Sequence, residues 1–197
     1  VSVRRDQAGE WHACRRDFDC RWHGRDGSAR LYPSVYAFDG MLRVLLATLC
    51  LQHGKMLVHA AAAARGNRGL VFIGRSGSGK TTVTRLLHSW RILNDEIVCL
   101  DAGKNGRVRV RATPFWGEMG TGPATARADS VEGMLFRQKS RTATRRQCVD
   151  RREAMGALLR CLCSFGTDPQ LAACALDVAA RVVHGTAAYR LFFQKDA

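Results

Sequence analysis

The feature that most constrains this chain is a glycine-rich stretch, Gly74 to Thr81, which fits the phosphate-binding pattern Gly-x4-Gly-Lys-Ser/Thr at every fixed position. Leu70 to Ile73, just before it, is a short apolar run typical of a buried strand. After it, apolar residues recur at the spacing of one helix face, namely Val83, Leu86, Leu87 and Trp90. The sequence therefore predicts a strand, a phosphate-binding loop and a helix in succession.

The composition of this loop predicts ATP and Mg2+ as cofactors. Glycines let successive backbone N–H groups surround a polyphosphate, and the positive end of the following helix faces the same anion. Lys80 is expected to reach the β- and γ-phosphates, and the Thr81 hydroxyl to take one position around Mg2+. The predicted nucleotide-binding residues are Gly74, Arg75, Ser76, Gly77, Ser78, Gly79, Lys80, Thr81 and Thr82.

Two adjacent acids, Asp95 and Glu96, end the next strand-like segment, which begins at Arg91. In a parallel α/β sheet, ligands bind beyond the carboxyl ends of the strands, so both acids are expected to face the phosphates. One acid would hold Mg2+ while its neighbour accepts the proton of an attacking hydroxyl. The alternative is that both are turn residues with a local capping role.

Four motifs in this order and spacing resemble the kinase core of HPr kinase/phosphorylase, which is related to ATP-dependent phosphoenolpyruvate carboxykinase. They are His59 to Ala62, Gly74 to Thr82, Leu93 to Glu96 and Pro114 to Glu118. The resemblance runs from about Asp39 to the C-terminus. It implies an α/β fold with a P-loop kinase core, a mixed sheet with flanking helices, and transfer of the γ-phosphoryl group of ATP to a serine hydroxyl.

The length and motif style are similar to small members of that family associated with lasso peptides. There, a precursor peptide is phosphorylated on a terminal serine. The resemblance thus implies a serine kinase with a peptide or protein substrate. Two alternative functions stay open. One is a kinase of a small-molecule hydroxyl, and the other is a nucleotide-switched binding module or nucleic-acid-dependent NTPase.

The expected catalytic residues are Asp95, Lys80 and His59. Asp95 would accept the hydroxyl proton and Lys80 would neutralise charge on the transferring group, while Thr81, Glu96 and Asp95 hold the metal. A lone histidine in an apolar strand is, on residue type alone, a core residue. The resemblance implies instead that His59 lies beside the catalytic acid and orients it or the phosphate.

The segment from Pro114 to Glu118 holds two further candidates. Trp116 is expected to pack over the nucleotide or acceptor, and Glu118 to join the metal shell or bind substrate, unless the segment is a structural corner. Arg111 and Arg127 are candidates for an arginine at the γ-phosphate.

Length and composition predict one domain spanning 1–197, with N-terminal strands in 1–38 and the kinase core in 39–197. The 197 residues are 46% hydrophobic, which is ample for one core. No apolar run approaches the ~20 residues of a membrane span, and no leader pattern precedes residue 30. We therefore expect a cytoplasmic protein with no membrane partner.

The N-terminal stretch contains the pairs His12/Cys14 and Cys20/His23, which are possible zinc ligands. Their alternation equally suits two strands of a hairpin, which is the interpretation we favour. The eight cysteines are scattered and are expected to be reduced, buried thiols.

The formal net charge of +14 indicates attraction to an acidic partner, nucleic-acid binding, or an arginine-rich composition without further meaning. Basic residues are spread along the chain and form no single stripe with aromatics, so nucleic acid is not favoured as a partner. An acidic peptide substrate fits the charge, and a homo-oligomer is compatible with this sequence.

Periodicity predicts the remaining elements. A helix is expected from Met41 to about Gly54, a strand from Lys55 to Ala63, and a hairpin around Asn105-Gly106. Asp150 and Asp168-Pro169 are expected to start two packing helices, and a final strand follows Tyr189. Gly120 to Arg127 is expected to be a mobile loop, and Lys139 to Arg146 a solvated basic loop.

Overall fold

A computed structural model of the chain describes residues 1–74, 80–87, 89–103, 105–118, 127–140, 144–166 and 168–193, without the side chains of Thr81, Thr84, Lys139 and Phe193. The helices in these ranges are α1 (Val35–Gln52), α2 (Lys80–Leu86), α3 (Arg151–Leu159) and α4 (Pro169–Gly185). The strands are β1 (Ser2–Arg5), β2 (Trp11–Arg15), β3 (Phe18–His23), β4 (Asp26–Leu31), β5 (Lys55–Arg65), β6 (Arg68–Ile73), β7 (Arg91–Asn94), β8 (Ile97–Ala102), β9 (Val108–Arg111), β10 (Ala128–Lys139), β11 (Arg145–Cys148) and β12 (Ala188–Phe193).

The first four strands form an antiparallel sheet in chain order, β1-β2-β3-β4. Side chains alternate between its faces, as a strand requires, and the inner face is buried. Trp11 and Trp22 lie directly opposite each other on that face and stack with ring centroids 6.1 Å apart. This sheet packs against α1, which joins it to the rest of the protein.

The second sheet is mixed, with the order β11-β12-β10-β6-β5-β8-β9, and β7 pairs with β5. β9 also pairs with the start of β10, so β10, β6, β5, β8 and β9 form a closed ring of pairings. β10 is parallel to β6 and to β12, whereas β5 is antiparallel to β6, β7 and β8. The chain therefore has a mixed α/β architecture.

The helices cover this sheet and share its core. Val44 and Leu51 of α1 pack in the same buried cluster as Val58 and Val71 of the sheet and Val178 of α4. α1 is also the one helix in the described ranges that is long and apolar enough to cross a membrane, with a hydropathy of 1.4. A core helix meets the same criterion, and the cytoplasmic location stays a prediction.

The helix starts predicted from capping residues are confirmed. Asp150 accepts a hydrogen bond from the N–H of Glu153, and Asp168 accepts from the N–H groups of Gln170 and Leu171, so side-chain carboxylates satisfy N–H groups in the first turns. The hairpin of β8 and β9 is also confirmed, with Gly106 at φ 74° in its turn.

Several predicted boundaries are wrong. α1 begins at Val35, inside the range assigned to N-terminal strands, because Ser34 caps it by accepting the N–H of Tyr36. α2 ends at Leu86, so Trp90 does not lie on it; the chain turns there, with the Trp90 N–H bonded to the Leu87 carbonyl, to enter β7.

The basic segment Lys139 to Arg146 is not one solvated loop. Lys139 ends β10, and Arg145 and Arg146 begin β11, where their guanidinium groups lie over the rings of Phe192 and Tyr189. Residues 141–143 lie outside the described ranges, as do residues 120–126 of the predicted mobile loop.

Candidate active site

The phosphate-binding stretch and the two acids follow strands that point the same way. β6 and β7 are both antiparallel to β5, so their carboxyl ends lie at one end of the sheet. Gly74 follows β6 and Asp95 follows β7. The N–H of Gly74 donates to the carbonyl of His59 at 3.3 Å, and the N–H of Ala60 donates to the carbonyl of Glu96 at 3.0 Å. β5 thus connects the two segments directly.

Asn94 shapes the turn that carries the acids. Its side chain is fully buried, and its Oδ1 accepts the N–H groups of Glu96 at 2.8 Å and Ile97 at 3.0 Å. Its Nδ2 donates to the carbonyl of Thr113 at 3.0 Å. An asparagine that bonds the backbone two residues on replaces a backbone turn, so Asn94 fixes the path of Asp95 and Glu96.

Asp95 is buried, with an exposed fraction of 3%. Its Oδ1 accepts the N–H of Gly117 at 2.8 Å, which brings the segment from Phe115 to Glu118 against it. A Cβ on Gly117 would lie 2.9 Å from Oδ2 of Asp95, so the absence of a side chain permits this approach. The backbone of this segment therefore holds the carboxylate in place.

Lys80 is the first residue of α2 and is 8% exposed. Its Nζ donates to the carbonyl of Gly74 at 2.8 Å, across the predicted loop. Burial lowers the pKa of Lys80, and the nearby Cys161, Glu96 and Asp95 act in the opposite direction. Lys80 is therefore close enough to both acids for their charges to interact.

Arg43 is a member of the site that the sequence did not reveal. From α1, its Nη1 donates to Oε1 of Glu96 at 3.1 Å and its Nε donates to Oδ2 of Asp39 at 2.7 Å. The guanidinium lies 4.9 Å from the centre of the Phe115 ring. Asp39 and Arg43 are the two charged residues of an otherwise uncharged 18-residue helix, and that isolated i, i+4 pair was the signal available in the sequence.

His59 lies in the middle of β5, opposite Ile97 of β8, and is close enough to Lys80 and Glu96 for their charges to act on it. Burial, together with the positive charges of Lys80 and Arg43, lowers the pKa of His59, and the negative charge of Glu96 acts in the opposite direction. Its backbone N–H donates to the carbonyl of Cys161 at 2.8 Å, which fixes this part of β5 against the segment after α3.

No protein-family model and no curated protein matches the chain. Membership of the HPr kinase family thus stays a hypothesis that rests on the four motifs and on the geometry above.

Two predicted substrate residues are not brought to the site. Arg127 bonds the carbonyl of Gly66 and pairs with Asp129 at 3.1 Å, at the far end of β6 from the phosphate-binding stretch. The length of β6, roughly 17 Å, separates Gly66 from the start of the phosphate-binding stretch. Arg111 pairs with Asp101 at 3.7 Å, along β8 and away from Glu96.

The segment after Pro114 does reach the site, in a different way from that predicted. Glu118 is exposed and lies 3.7 Å from Arg85 of α2, so it borders the site and does not join the acids. Trp116 is half-buried beside Gly117. Of the predicted nucleotide-binding residues, Arg75, Ser76, Gly77, Ser78 and Gly79 lie outside the described ranges, and the side chain of Thr81 does as well.

The donor atoms of the site suit Mg2+. Asp95 and Glu96 offer carboxylate oxygens, which are the hard ligands that this ion prefers, and the predicted phosphates would supply more oxygens. Glu96 forms an ion pair with Arg43, whereas Asp95 is held by the backbone N–H of Gly117. The set of residues fits a magnesium nucleotide better than a zinc ion, which prefers nitrogen and sulfur.

The N-terminal zinc alternative is not supported for the four predicted residues. His12 and Cys14 lie on the outer face of β2, whereas Cys20 is buried on the inner face of β3. His12 and Cys14 come together with Asp19 instead, within 4.8 Å of one another. Arg4 lies 3.3 Å from Nδ1 of His12, and Nε2 bonds Asp19 at 2.8 Å, so hydrogen bonds already satisfy this imidazole.

Replacing Asn94 by alanine is expected to destabilise the protein by about 2–4 kcal/mol, because the N–H groups of Glu96 and Ile97 lose a buried acceptor. Equilibrium unfolding in urea measures this change. Asn105→Ala is the matched control, since Asn105 also accepts an N–H two residues on, from Arg107, but in an exposed turn. Its effect should stay within about 0.5 kcal/mol. Equal effects of the two substitutions would contradict the role given to Asn94.

The folded protein is expected to lose stability as the pH falls from 7 to 5, in part through His59. Its pKa is lower in the folded state, so the unfolded state binds more protons. The contribution is present above the unfolded pKa of ~6.5 and is lost as the pH falls through the folded value. His59→Gln should therefore show a smaller drop in melting temperature between pH 7 and pH 5 than the wild type.

The control for this prediction is His184→Gln, on the exposed part of α4, which should keep the wild-type drop. Thermal unfolding followed by circular dichroism at three pH values suffices. An identical drop for wild type and His59→Gln would remove His59 as a source of the pH dependence.

Proposed function

We propose that this protein is an ATP-dependent kinase that transfers the γ-phosphoryl group to a serine hydroxyl of a peptide, of the lasso-precursor type. Its core would be a P-loop kinase core of the HPr kinase/phosphoenolpyruvate carboxykinase type, within a single domain spanning 1–197. The mixed sheet and flanking helices are compatible with that core.

The observation that carries the proposal is the meeting of Lys80, His59, Asp95 and Glu96 at one end of the large sheet. A phosphate-binding lysine next to two carboxylates is the arrangement that phosphoryl transfer requires, because the reaction depends on charge stabilisation and positioning. Buried or half-buried groups interact more strongly than the same groups in water. The alternative, in which both acids only cap a local turn, does not explain why they lie close to Lys80.

The residues have distinct roles in the proposed reaction. Asp95 accepts the proton of the serine hydroxyl while the serine oxygen forms a bond to the γ-phosphorus. The bond from that phosphorus to the β,γ-bridging oxygen breaks, and ADP leaves with the electron pair. Lys80 stabilises the charge that develops on the phosphoryl oxygens. His59 helps to orient Asp95 or the phosphate.

Asp95, Glu96 and the Thr81 hydroxyl are the residues that would hold Mg2+. When bound, the ion supplies positive charge to the β- and γ-phosphates. Arg43 restrains Glu96 through a hydrogen bond at 3.1 Å and leaves Asp95, whose Oδ1 is held by the backbone of Gly117, as the proposed base. Both acids would thus hold the ion, and Asp95 would in addition accept the proton.

The charge of the chain supports a peptide acceptor over a neutral metabolite. A net charge of +14 attracts an acidic peptide and raises the rate of encounter at low salt. The exposed side chain of Glu118 and the half-buried Trp116 border the site.

The proposal is tested by following the fate of the γ-phosphate. Protein, Mg2+ and ATP are incubated with an acidic serine peptide, with a mixture of small hydroxyl metabolites, or with DNA or RNA. Phosphopeptide is the expected product. A phosphorylated metabolite would move the assignment to a small-molecule kinase, and phosphate released to water only, stimulated by nucleic acid and suppressed by salt, would replace it with an NTPase.

A further inference from the structure

A groove of about 800 Å3 lies between β4 and the C-terminal half of α1, outside the site described above. One wall is formed by β4 and the turn before it, and the other by Met41, Leu45 and Leu49 of α1. Trp22 and Cys20 of β3 line it between the walls. The groove is therefore apolar inside and bounded by a strand on one side and a helix on the other.

β4 lacks a partner on one edge among the residues that the structure describes, since it pairs with β3 alone. Its inner face is also uncovered. Gly27 and Ala29 lie directly opposite Trp22 and Cys20, yet β4 is exposed along its whole length while the β3 residues are buried. An edge strand with both an open edge and an open inner face is a template for another strand.

The turn before β4 fixes which backbone groups face the open edge. Gly24, at φ 59°, and Arg25 form a two-residue turn that closes on the pair His23 and Asp26. Hydrogen-bonded and non-hydrogen-bonded pairs alternate from there, so Gly27 and Ala29 direct their N–H and C=O groups away from β3. These groups are available to an added strand.

The groove also contains an unsatisfied donor. The indole N–H of Trp22 is buried and has no hydrogen-bond partner among the described residues, and Trp22 is only 6% exposed. A buried indole N–H usually finds an acceptor. A carbonyl oxygen of a bound chain would supply one.

The charges around the groove are mostly positive. Arg5, Arg21 and Arg25 line it, against the single acid Asp26. Arg30 adds a further exposed cation on β4. Negative side chains on a bound chain would meet complementary charge at the rim, whereas positive ones would be repelled.

We propose that this groove binds an extended acidic peptide segment as a strand added to β4, with apolar side chains inserted between Trp22 and α1. Main-chain hydrogen bonds to Gly27 and Ala29 supply affinity, and alternate side chains supply selectivity. The inference rests on the proposed function in one respect, which is that the segment belongs to the acceptor peptide.

Helix α1 connects the groove to the candidate active site. β4 ends at Leu31 and α1 begins at Val35, where Tyr36 is 85% exposed. Tyr36, Asp39 and Arg43 follow one another at i, i+3 and i+7 on one face of α1, over about 10 Å. Arg43 bonds Glu96 in the candidate active site. The face of α1 that carries Tyr36, Asp39 and Arg43 lies opposite the face of Met41, Leu45 and Leu49 that lines the groove, so the recognised segment of the peptide lies apart from the serine.

Binding is measured without nucleotide, by fluorescence anisotropy of a fluorescein-labelled peptide that alternates leucine with glutamate. A second probe alternates leucine with lysine. The wild type should bind the glutamate probe at least about tenfold more tightly than the lysine probe. Ala29→Pro removes one outward N–H from an edge strand, where proline is tolerated, and should weaken glutamate-probe binding at least about tenfold.

Ala29→Ser is the matched control, since it keeps the N–H, and should bind within about twofold of the wild type. Arg25→Glu, at the exposed turn, should weaken the glutamate probe and strengthen the lysine probe, which gives a test that does not depend on the folding of the proline variant. Equal binding of the glutamate probe by wild type, Ala29→Pro and Arg25→Glu overturns the proposal, and so does a wild type that binds neither probe. Binding with the expected pattern but without phosphorylation of a serine-bearing version would contradict the kinase and leave the groove assignment standing.

Discussion

Replacing Asp95 by asparagine is expected to lower the rate of phosphoryl transfer about 10²–10⁴-fold, the range for loss of a positioned general base. Asparagine has the same shape, and its side-chain oxygen can still accept the N–H of Gly117, which now bonds Asp95 at 2.8 Å. The segment from Phe115 to Glu118 should therefore stay in place. What is lost is a carboxylate that can take the serine proton.

This loss should appear in kcat, with little change in KM for the peptide, because the proton transfer occurs in the transition state. Asp177→Asn is the control, an exposed aspartate on α4 that pairs with Arg181 far from the site. Initial rates of phosphopeptide formation measure both variants. If Asp95→Asn keeps more than about a fifth of the wild-type rate, Asp95 is not the base.

Replacing Lys80 by methionine is the other large change, with an expected loss of about 10²–10³ in transfer rate. Lys80 is 8% exposed and bonds the carbonyl of Gly74, so its charge acts in a largely desolvated place. Methionine is similar in length and apolar, which lets it fill the same space. Weaker binding of MgATP should accompany the slower transfer, since the lysine is proposed to contact the phosphates.

Lys55→Met is the control for this substitution. Lys55 begins β5 and lies opposite Asp101 of β8, four residues before His59, which is roughly 13 Å along an extended strand. It should retain the wild-type rate and affinity. Isothermal titration with MgATP and initial-rate assays distinguish the two lysines, and similar behaviour of both variants would remove Lys80 from the site.

The part of the site that follows from local sequence was predictable. An apolar run, a glycine loop and a second apolar run ending in acids are each readable along the chain. That they meet follows from topology, since β6 and β7 are both antiparallel to β5. β6 and β7 run parallel to each other although β5 lies between them and runs the other way, so the rule for parallel strands still places both segments at one end of the sheet.

The part that depends on distant contacts was not predictable in the same way. Arg43 lies 53 residues before Glu96, and only the packing of α1 on β5 brings them together. Arg111 and Arg127 are the arginines predicted at the γ-phosphate, and their guanidinium groups pair with Asp101 and Asp129. With many arginines in the chain, nearness in sequence does not select the one at the site.

β10 cannot be predicted from the sequence because its alternation of buried and exposed residues is irregular. Its register with β6 shifts between Val131 and Gly133, so the alternation of buried residues is broken there. Beyond the shift Met134 and Leu135 are both buried, because the strand is covered on two faces. A strand with a bulge and two buried faces gives neither a period of two nor a helical period.

The most direct test of the central claim is intact-mass spectrometry of an acidic serine peptide incubated with the protein, ATP and Mg2+, beside the same peptide with serine replaced by alanine. The account predicts the mass of one added phosphate on the serine peptide, none on the alanine peptide, and none with Asp95→Asn. Release of phosphate to water at equal rates by wild type and Asp95→Asn, with both peptides unmodified, would contradict it.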